Sequence, residues 1–388
     1  MRRLSYIVIC MSICLSNQVT AQNPLPYISE GLLDTTQAST LGLREATVHT
    51  VTIFSPKEND YHYANGVVIT AFKGKLYCMW QRSATDEDAP ETSVVYSMSE
   101  DNGKTWSSPC LIAEANDSTY CTSGGWISTN DTLIAFINIW PKALEPKGGY
   151  VCYRETTDGE QWTALRHVTM ADGSNMNGII EQDPTLLTSG RLIGAVHFQP
   201  GLHLQPVYSD DPTGRSGWHK GHFDSQDMGH QSRELEPSQY VCRDGALVMV
   251  FRDQKGTYCK LASMSYDEGE NWTPAVKTNI PDARVKQSAG NLPDGTAFLV
   301  GCPSGNKHRY PLALLLSEDG RCFDRGYLLR EGGTKLPPQQ WSGRYKTLGY
   351  SYPKSLVYDG RLYVAYSTNK ETVELTIIDL PTLRQPYV

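Results

Sequence analysis

The octapeptide Ser99-Glu100-Asp101-Asn102-Gly103-Lys104-Thr105-Trp106 constrains this chain more than any other stretch. Its Asp can accept backbone N–H bonds inside a tight turn. Its Gly supplies a positive φ, and its closing Trp folds back onto the flanking strands. The same pattern returns as Ser265-Tyr266-Asp267-Glu268-Gly269-Glu270-Asn271-Trp272. Weaker copies occur elsewhere. Thr156-Thr157-Asp158-Gly159-Glu160-Gln161-Trp162 is one residue short before its Gly; Ser209-Asp210-Asp211 leads through Gly214 to Trp218; Ser317-Glu318-Asp319-Gly320 leads to Phe323. The closing aromatics stand 56, 56, 54 and 51 residues apart. Such a turn does no chemistry, but five in phase prescribe one four-stranded antiparallel unit per repeat, the pattern of a β-propeller.

Five turn-bearing units and a last one over Tyr350 to Leu380 make six blades; a seventh would have to lie in the irregular segments. The expected fold is therefore all-β, a six-bladed propeller. Glu45 to Phe54 contains the β-branched run Thr47-Val48-His49-Thr50-Val51-Thr52-Ile53. It is expected to complete the last blade and so remove the ring's open edges. Residues 22–43 read as an irregular lead segment and 44–388 as the propeller. Residues 1–21 read as a cleavable signal peptide: Met1-Arg2-Arg3, an apolar run from Tyr6 to Leu15, and Ala21 at the cut. The run is too short to span a membrane as a helix, so the expected location is secreted or periplasmic.

A net charge of −7 with no basic block argues against a nucleic-acid partner. Two of the ten cysteines would leave with the signal. The others form no Cys-x-x-Cys and no zinc-like spacing with His, and they read as buried thiols with one or two bridges. No phosphate loop, His-Glu-x-x-His or nucleophile elbow is present, so no cofactor and no metal are expected. Any active site must be assembled from strand ends around the propeller axis.

The repeated turns, over Ser99 to Phe323, resemble the Asp-boxes (bacterial neuraminidase repeats) of sialidase-like propellers. That resemblance implies an ordered set of site residues. An acid/base Asp follows the second strand of the first blade, where this chain has Gln81-Arg82 and then Asp86-Glu87-Asp88; Asp88 is its candidate. Glu236 would pair with a Tyr nucleophile, Tyr352. Arg252 and Arg309, with Arg82 and Tyr350, would bind the substrate. Guanidinium groups suit a carboxylate, and a neutral phenol suits an anomeric carbon that already carries a negative charge. Trp80 is a candidate for stacking on a sugar. The chain departs from the sialidase pattern at one place: where an Arg-Ile-Pro is expected it has Tyr63-Ala64-Asn65-Gly66-Val67-Val68.

Glu236-Pro237-Ser238, Arg309-Tyr310-Pro311-Leu312, Tyr352-Pro353-Lys354-Ser355 and Tyr366-Ser367-Thr368-Asn369-Lys370-Glu371 resemble a second group, secreted propellers related to sialidases. It includes α-L-rhamnosidases that release rhamnose from glucuronic acid. That resemblance implies a catalytic histidine near the N-terminus; His62 is the candidate and His49 the second, while His197 reads as structural. The expected function is exo-hydrolysis of a terminal sugar at or next to a carboxylate-bearing residue of an acidic glycan. An exo-α-sialidase, a uronate-eliminating lyase and a glycan-binding propeller without turnover are the alternatives.

Overall fold

Six antiparallel sheets follow one another around a central axis in chain order. The computed structural model describes residues 25–224 and 231–384. The expected signal peptide lies outside the described residues. Blade 1 is built from Tyr63–Phe72, Lys75–Ser83, Ser93–Ser99 and Cys110–Ala113, and blade 2 from Thr119–Ser128, Leu133–Pro141, Tyr150–Thr156 and Arg166–His167. Blade 3 begins with two short pieces, Gly178–Ile179 and Thr185–Leu186, then Leu192–Phe198, His203–Ser209 and His219–Lys220. Blade 4 has Glu234–Val241, Leu247–Asp253, Cys259–Ser265 and Val276–Pro281. Blade 5 has Ser288–Asn291, Ala297–Gly301, Leu312–Ser317 and Arg325–Arg330. Blade 6 takes Tyr350–Tyr358, Arg361–Thr368 and Thr372–Asp379 from the end of the chain and Val48–Phe54 from its start.

Closure follows the sequence expectation. Val48–Phe54 runs antiparallel to Thr372–Asp379, with Phe54 opposite Val373 and Val48 opposite Ile378. Val48–Phe54 is the outer strand of blade 6 and covers the edge that Thr372–Asp379 would otherwise expose. The core lies between blades. The faces of blades 6 and 1 meet through Trp80, Ile69, Tyr363 and Leu375, and those of blades 1 and 2 through Tyr77, Met79, Trp126 and Ile137.

The repeated turns are built as their residue types require. The Asp101 carboxylate accepts from the backbone N–H of Lys104 (3.0 Å) and Thr105 (2.9 Å) and from the Thr105 hydroxyl (2.7 Å). Ser99 Oγ accepts from Gly103 N–H at 2.9 Å, and the Trp106 indole donates back to the Gly103 carbonyl at 3.1 Å. Ser265, Asp267, Gly269, Asn271 and Trp272 repeat these bonds in blade 4.

The lead segment carries more structure than its sequence suggests. Tyr27–Ile28 pairs in parallel with Cys322–Phe323, and Arg44–Glu45 with Tyr327 and Leu328, so the lead sheathes the outer side of blade 5. Leu41 and Leu43 are buried there against Ala313 and Leu328. All eight cysteines of the described residues are free thiols, with no disulfide among them. No helix of the described residues is long and apolar enough to cross a membrane.

Candidate active site

The first strands of blades 1, 4 and 6 line the axis, and each is interrupted by a β-bulge at the same register position. The breaks fall between Asn65 and Val68, Leu235 and Ser238, and Ser351 and Lys354. The first bulged residue in each is Gly66, Glu236 or Tyr352, with φ of +63°, +51° and +59°. A positive φ costs a non-glycine residue about 1–3 kcal/mol and is found where the aim of a side chain matters. Pro237 and Pro353 follow the two strained residues. A proline has no N–H to leave orphaned in a bulge. Blade 1 makes the same turn with Gly66, where a Cβ would come within 2.6 Å of Ser123 Oγ and 2.8 Å of Gln81 Oε1.

The bulges bring Glu236 and Tyr352 together. Arg252 Nη1 lies 2.8 Å from Glu236 Oε2 and donates at 3.3 Å to the Tyr352 hydroxyl oxygen. Burial pushes the Glu236 carboxyl up, but the Arg252 charge and a hydrogen bond with Tyr352 outweigh it and hold Glu236 below the usual carboxylate range. Burial, reinforced by the neighbouring Glu236 charge, raises Tyr352 well above the ordinary phenol value. The resting pair is therefore a carboxylate beside a protonated phenol. Attack by the phenol oxygen can hand its proton to Glu236.

Three further cations surround the Tyr352 ring. Arg309, Lys286 and Lys370 lie 5.8, 5.7 and 5.6 Å from its centroid. Arg309 is steadied by the Ser351 hydroxyl at 2.9 Å. Lys370 reaches in from the hairpin end of blade 6 and pairs with Glu87 at 2.6 Å. Glu87 in turn accepts from the Tyr63 hydroxyl at 2.8 Å and from the Asn65 amide at 3.4 Å. Around the position where the sialidase pattern expects an arginine, blade 1 thus holds a carboxylate, and that carboxylate holds a lysine. Lys286 occupies in blade 5 the place of Glu236 in blade 4. Each stands two residues before a serine, Ser288 or Ser238, that accepts a backbone N–H from the next blade.

Of these groups, Asn65, Glu87, Glu236, Arg252, Lys286 and Tyr352 line a cleft of about 530 Å³. Neutral polar side chains line much of it, including Asn65, Gln81, Thr122, Ser123, Asn138, Gln231 and Gln254, with Trp140 and Tyr345 as the aromatic walls. Asp88 lines it too, bound to Lys147 at 2.5 Å.

Six sequence candidates do not line this cleft: Arg309, which stands 5.8 Å from the Tyr352 ring centroid, and five others that lie apart from it. Trp80 is fully buried between blades 6 and 1, tilted on Phe54 at 5.7 Å, so it is core and not a sugar platform. Tyr350 is buried, its hydroxyl donating to the Glu331 carbonyl at 2.8 Å. Arg82 turns away from its neighbour Gln81, because side chains alternate along a strand, and lies over the Tyr61 ring at 4.3 Å. His62 stacks on Trp341 with ring centroids 3.8 Å apart, and its Nε2 donates to the carbonyls of Lys57 and Glu58. His49 lies on the closing strand of blade 6, opposite Ile377. In the other direction, His197, read as structural, lines the cleft, as do Glu181, Lys286 and Lys147.

The sequence matches the BNR repeat-like domain over residues 74–364. The chain belongs to that family. Its fold is a sialidase-like propeller. It is similar to a solved sialidase with a TM-score of 0.67 at 18% identity, over 92% of this chain and 35% of that one, so it spans about a third of that protein's length. It is similar to a protein of unknown function from Dyadobacter fermentans (TM-score 0.63, 18% identity, 86% and 98% covered). It is also similar to the K499G mutant of the NanB sialidase from Streptococcus pneumoniae (TM-score 0.62, 15% identity, 85% and 70% covered). No curated protein sequence matches the chain. At these identities the likeness is one of fold.

Proposed function

We propose that this family member is an exported exo-acting glycoside hydrolase that removes a terminal sugar at or next to a carboxylate-bearing residue of a glycan, with rhamnose on glucuronate as the leading substrate. The observation that carries the proposal is the Tyr352 hydroxyl held beside Glu236 and Arg252 on strained bulges, with Arg309, Lys286 and Lys370 close around the ring. A neutral oxygen nucleophile with an adjacent carboxylate base is suited to an anomeric centre in an anionic substrate. The cations supply the complementary field for that anion. Two are arginines and two are lysines. Such a set binds a carboxylate by charge more than by the parallel N–H bonds of three guanidinium groups, which favours a uronate neighbour over sialic acid itself.

The test is mass-resolved product analysis of the chain from Gln22 onward, incubated with rhamnosyl-glucuronate and sialylated oligosaccharides. Free rhamnose with uptake of one water supports the proposal. Free sialic acid would make it a sialidase, and an unsaturated uronate would make it a lyase. Binding of these glycans without any product would leave a lectin-like propeller.

A further inference from the structure

The cleft contains a second acid–base pair that the Tyr352–Glu236 chemistry does not use. His197, on the Leu192–Phe198 strand of blade 3, is 1% exposed, yet it lines the cleft. Its Nε2 lies 3.3 Å from Glu181 Oε2, out of hydrogen-bond alignment, and among the described residues neither atom has a hydrogen-bond partner. The other ring nitrogen, Nδ1, faces the Leu202 carbonyl at 3.4 Å. A carbonyl only accepts, so Nδ1 carries a hydrogen. In a neutral ring Nε2 is then an acceptor, and it faces a carboxylate oxygen, also an acceptor. Two acceptors at this distance repel unless one proton sits on one of them. Buried polar atoms without partners lose their hydration and gain nothing in return, which makes the pair expensive as a purely structural feature.

The residues expected to protonate a leaving group are otherwise engaged. Asp88 is paired with Lys147, and Glu87 is shared by Lys370, Tyr63 and Asn65. Burial pushes the Lys286 amine down, against the charges of Glu181 and Glu236 that it faces, so the His197–Glu181 pair stands across one lysine from the nucleophile's base.

We propose that Glu181, positioned by His197, is the proton donor to the leaving-group oxygen in this cleft. The inference rests on the hydrolase reading given above. As Tyr352 Oη bonds to the anomeric carbon, its proton passes to Glu236. The glycosidic C–O bond breaks, its electron pair leaves with the oxygen, and that oxygen takes the proton of the Glu181–His197 pair. Water then attacks the same carbon and returns a proton to the pair. The Tyr352 oxygen departs and recovers its own proton from Glu236. The balance is one glycoside and one water giving two hydroxyl compounds.

A good leaving group needs no proton, and that separates proton donation from shape or binding. Wild type, Glu181→Gln and His197→Gln are assayed on a rhamnosyl-glucuronate disaccharide and on sialyllactose, and on the 2,4-dinitrophenyl glycosides of the same terminal sugars. Thermal melts confirm folding. Glu181→Gln is nearly isosteric and partly exposed, so it stands as the test if the buried His197→Gln does not fold. The expected result is a 10²- to 10⁴-fold loss of kcat/KM on the disaccharide, the usual range for a general acid, with less than tenfold loss of kcat/KM on the dinitrophenyl glycoside, because kcat/KM ends at cleavage of the glycosidic bond and leaves out the later step in which the pair acts as base. A loss below tenfold on the disaccharide, or equal losses on both substrates, overturns the role of Glu181 and leaves the hydrolase reading standing. Wild type that cleaves none of the four substrates overturns the hydrolase reading and this inference with it.

Discussion

Glu236 and Tyr352 occupy backbone that neither residue favours, and the strain aims both at one point. Substituting Glu236→Gln keeps the shape and removes the proton acceptor. We expect turnover on the best oligosaccharide to fall about 10²- to 10⁴-fold, and the melting temperature to fall too because Arg252 loses its counter-charge, as measured by product release and calorimetry. Removing the cation breaks the same pair from the other side. Arg252→Met leaves the Glu236 carboxylate, 4% exposed in its side chain, without its nearest counter-charge. Breaking a buried pair from one side costs about 3 kcal/mol or more, to be read as a lower urea midpoint. The Glu, Tyr and two Arg positions were legible from motif order, because each sits at a fixed place in a repeat. Lys286 and Lys370 were not. A lysine in a polar segment looks like a solvated one, and only repeat phasing, which sets Lys286-Gln287-Ser288 against Glu236-Pro237-Ser238, marks the first of them. Trp80 failed in the other direction: it is one residue from Gln81, which lines the cleft, and alternation along the strand sends it into the core.

At the scale of the single element, the Asp-box turn carries its own pH dependence. Backbone and side-chain hydrogen bonds from Thr105 depress the Asp101 carboxyl to about 2, and backbone bonds from Gln161 and Glu160 do the same to Asp158. A carboxyl with a depressed folded-state pKa stabilises the fold above its unfolded value, about 4. The stabilisation is lost as pH falls toward 2. Asp101→Ala should therefore lower the urea midpoint at pH 7, scarcely alter it at pH 2, and flatten the slope between about pH 4 and pH 2. An unchanged slope would mean that the turn does not sense acid. The degenerate copies show how much the box tolerates. In blade 2 the missing residue shortens the serine-type bond, so that Gly159 N–H reaches Thr156 Oγ1 across three residues, where Gly103 reaches Ser99 across four. The Trp162 indole then donates to the Tyr96 hydroxyl instead of its own turn. The three weaker boxes are readable because the turn's physics survives such losses. The outer strands were less readable; Arg166–His167 and His219–Lys220 are two residues long and show no alternation.

For the molecule as a whole, the lead segment and the closing strand that follows it do different work, and truncation separates them. The lead segment covers blade 5 from outside. Its sequence reads as irregular because its strands are two residues long and pair in parallel with residues far along the chain. A chain starting at Ala46 loses the burial of Leu41 and Leu43, about 1.5–3 kcal/mol for each. That falls within the stability of an ordinary domain. It should fold with a lower melting temperature and keep its cleft, since none of the lead lines it. A chain starting at Ser55 also loses Val48–Phe54. Blade 6 then exposes the full edge of Thr372–Asp379, a row of unpaired N–H and C=O groups beside apolar Val373, Leu375 and Ile377. Blade 6 bears Tyr352 and Lys370, so the seam and the site stand or fall together. We expect the Ser55 chain to self-associate on size exclusion and to lose activity, and a peptide spanning residues 45–56 to restore both. A monomeric Ser55 chain that melts like wild type would show that the ring does not depend on its closing strand.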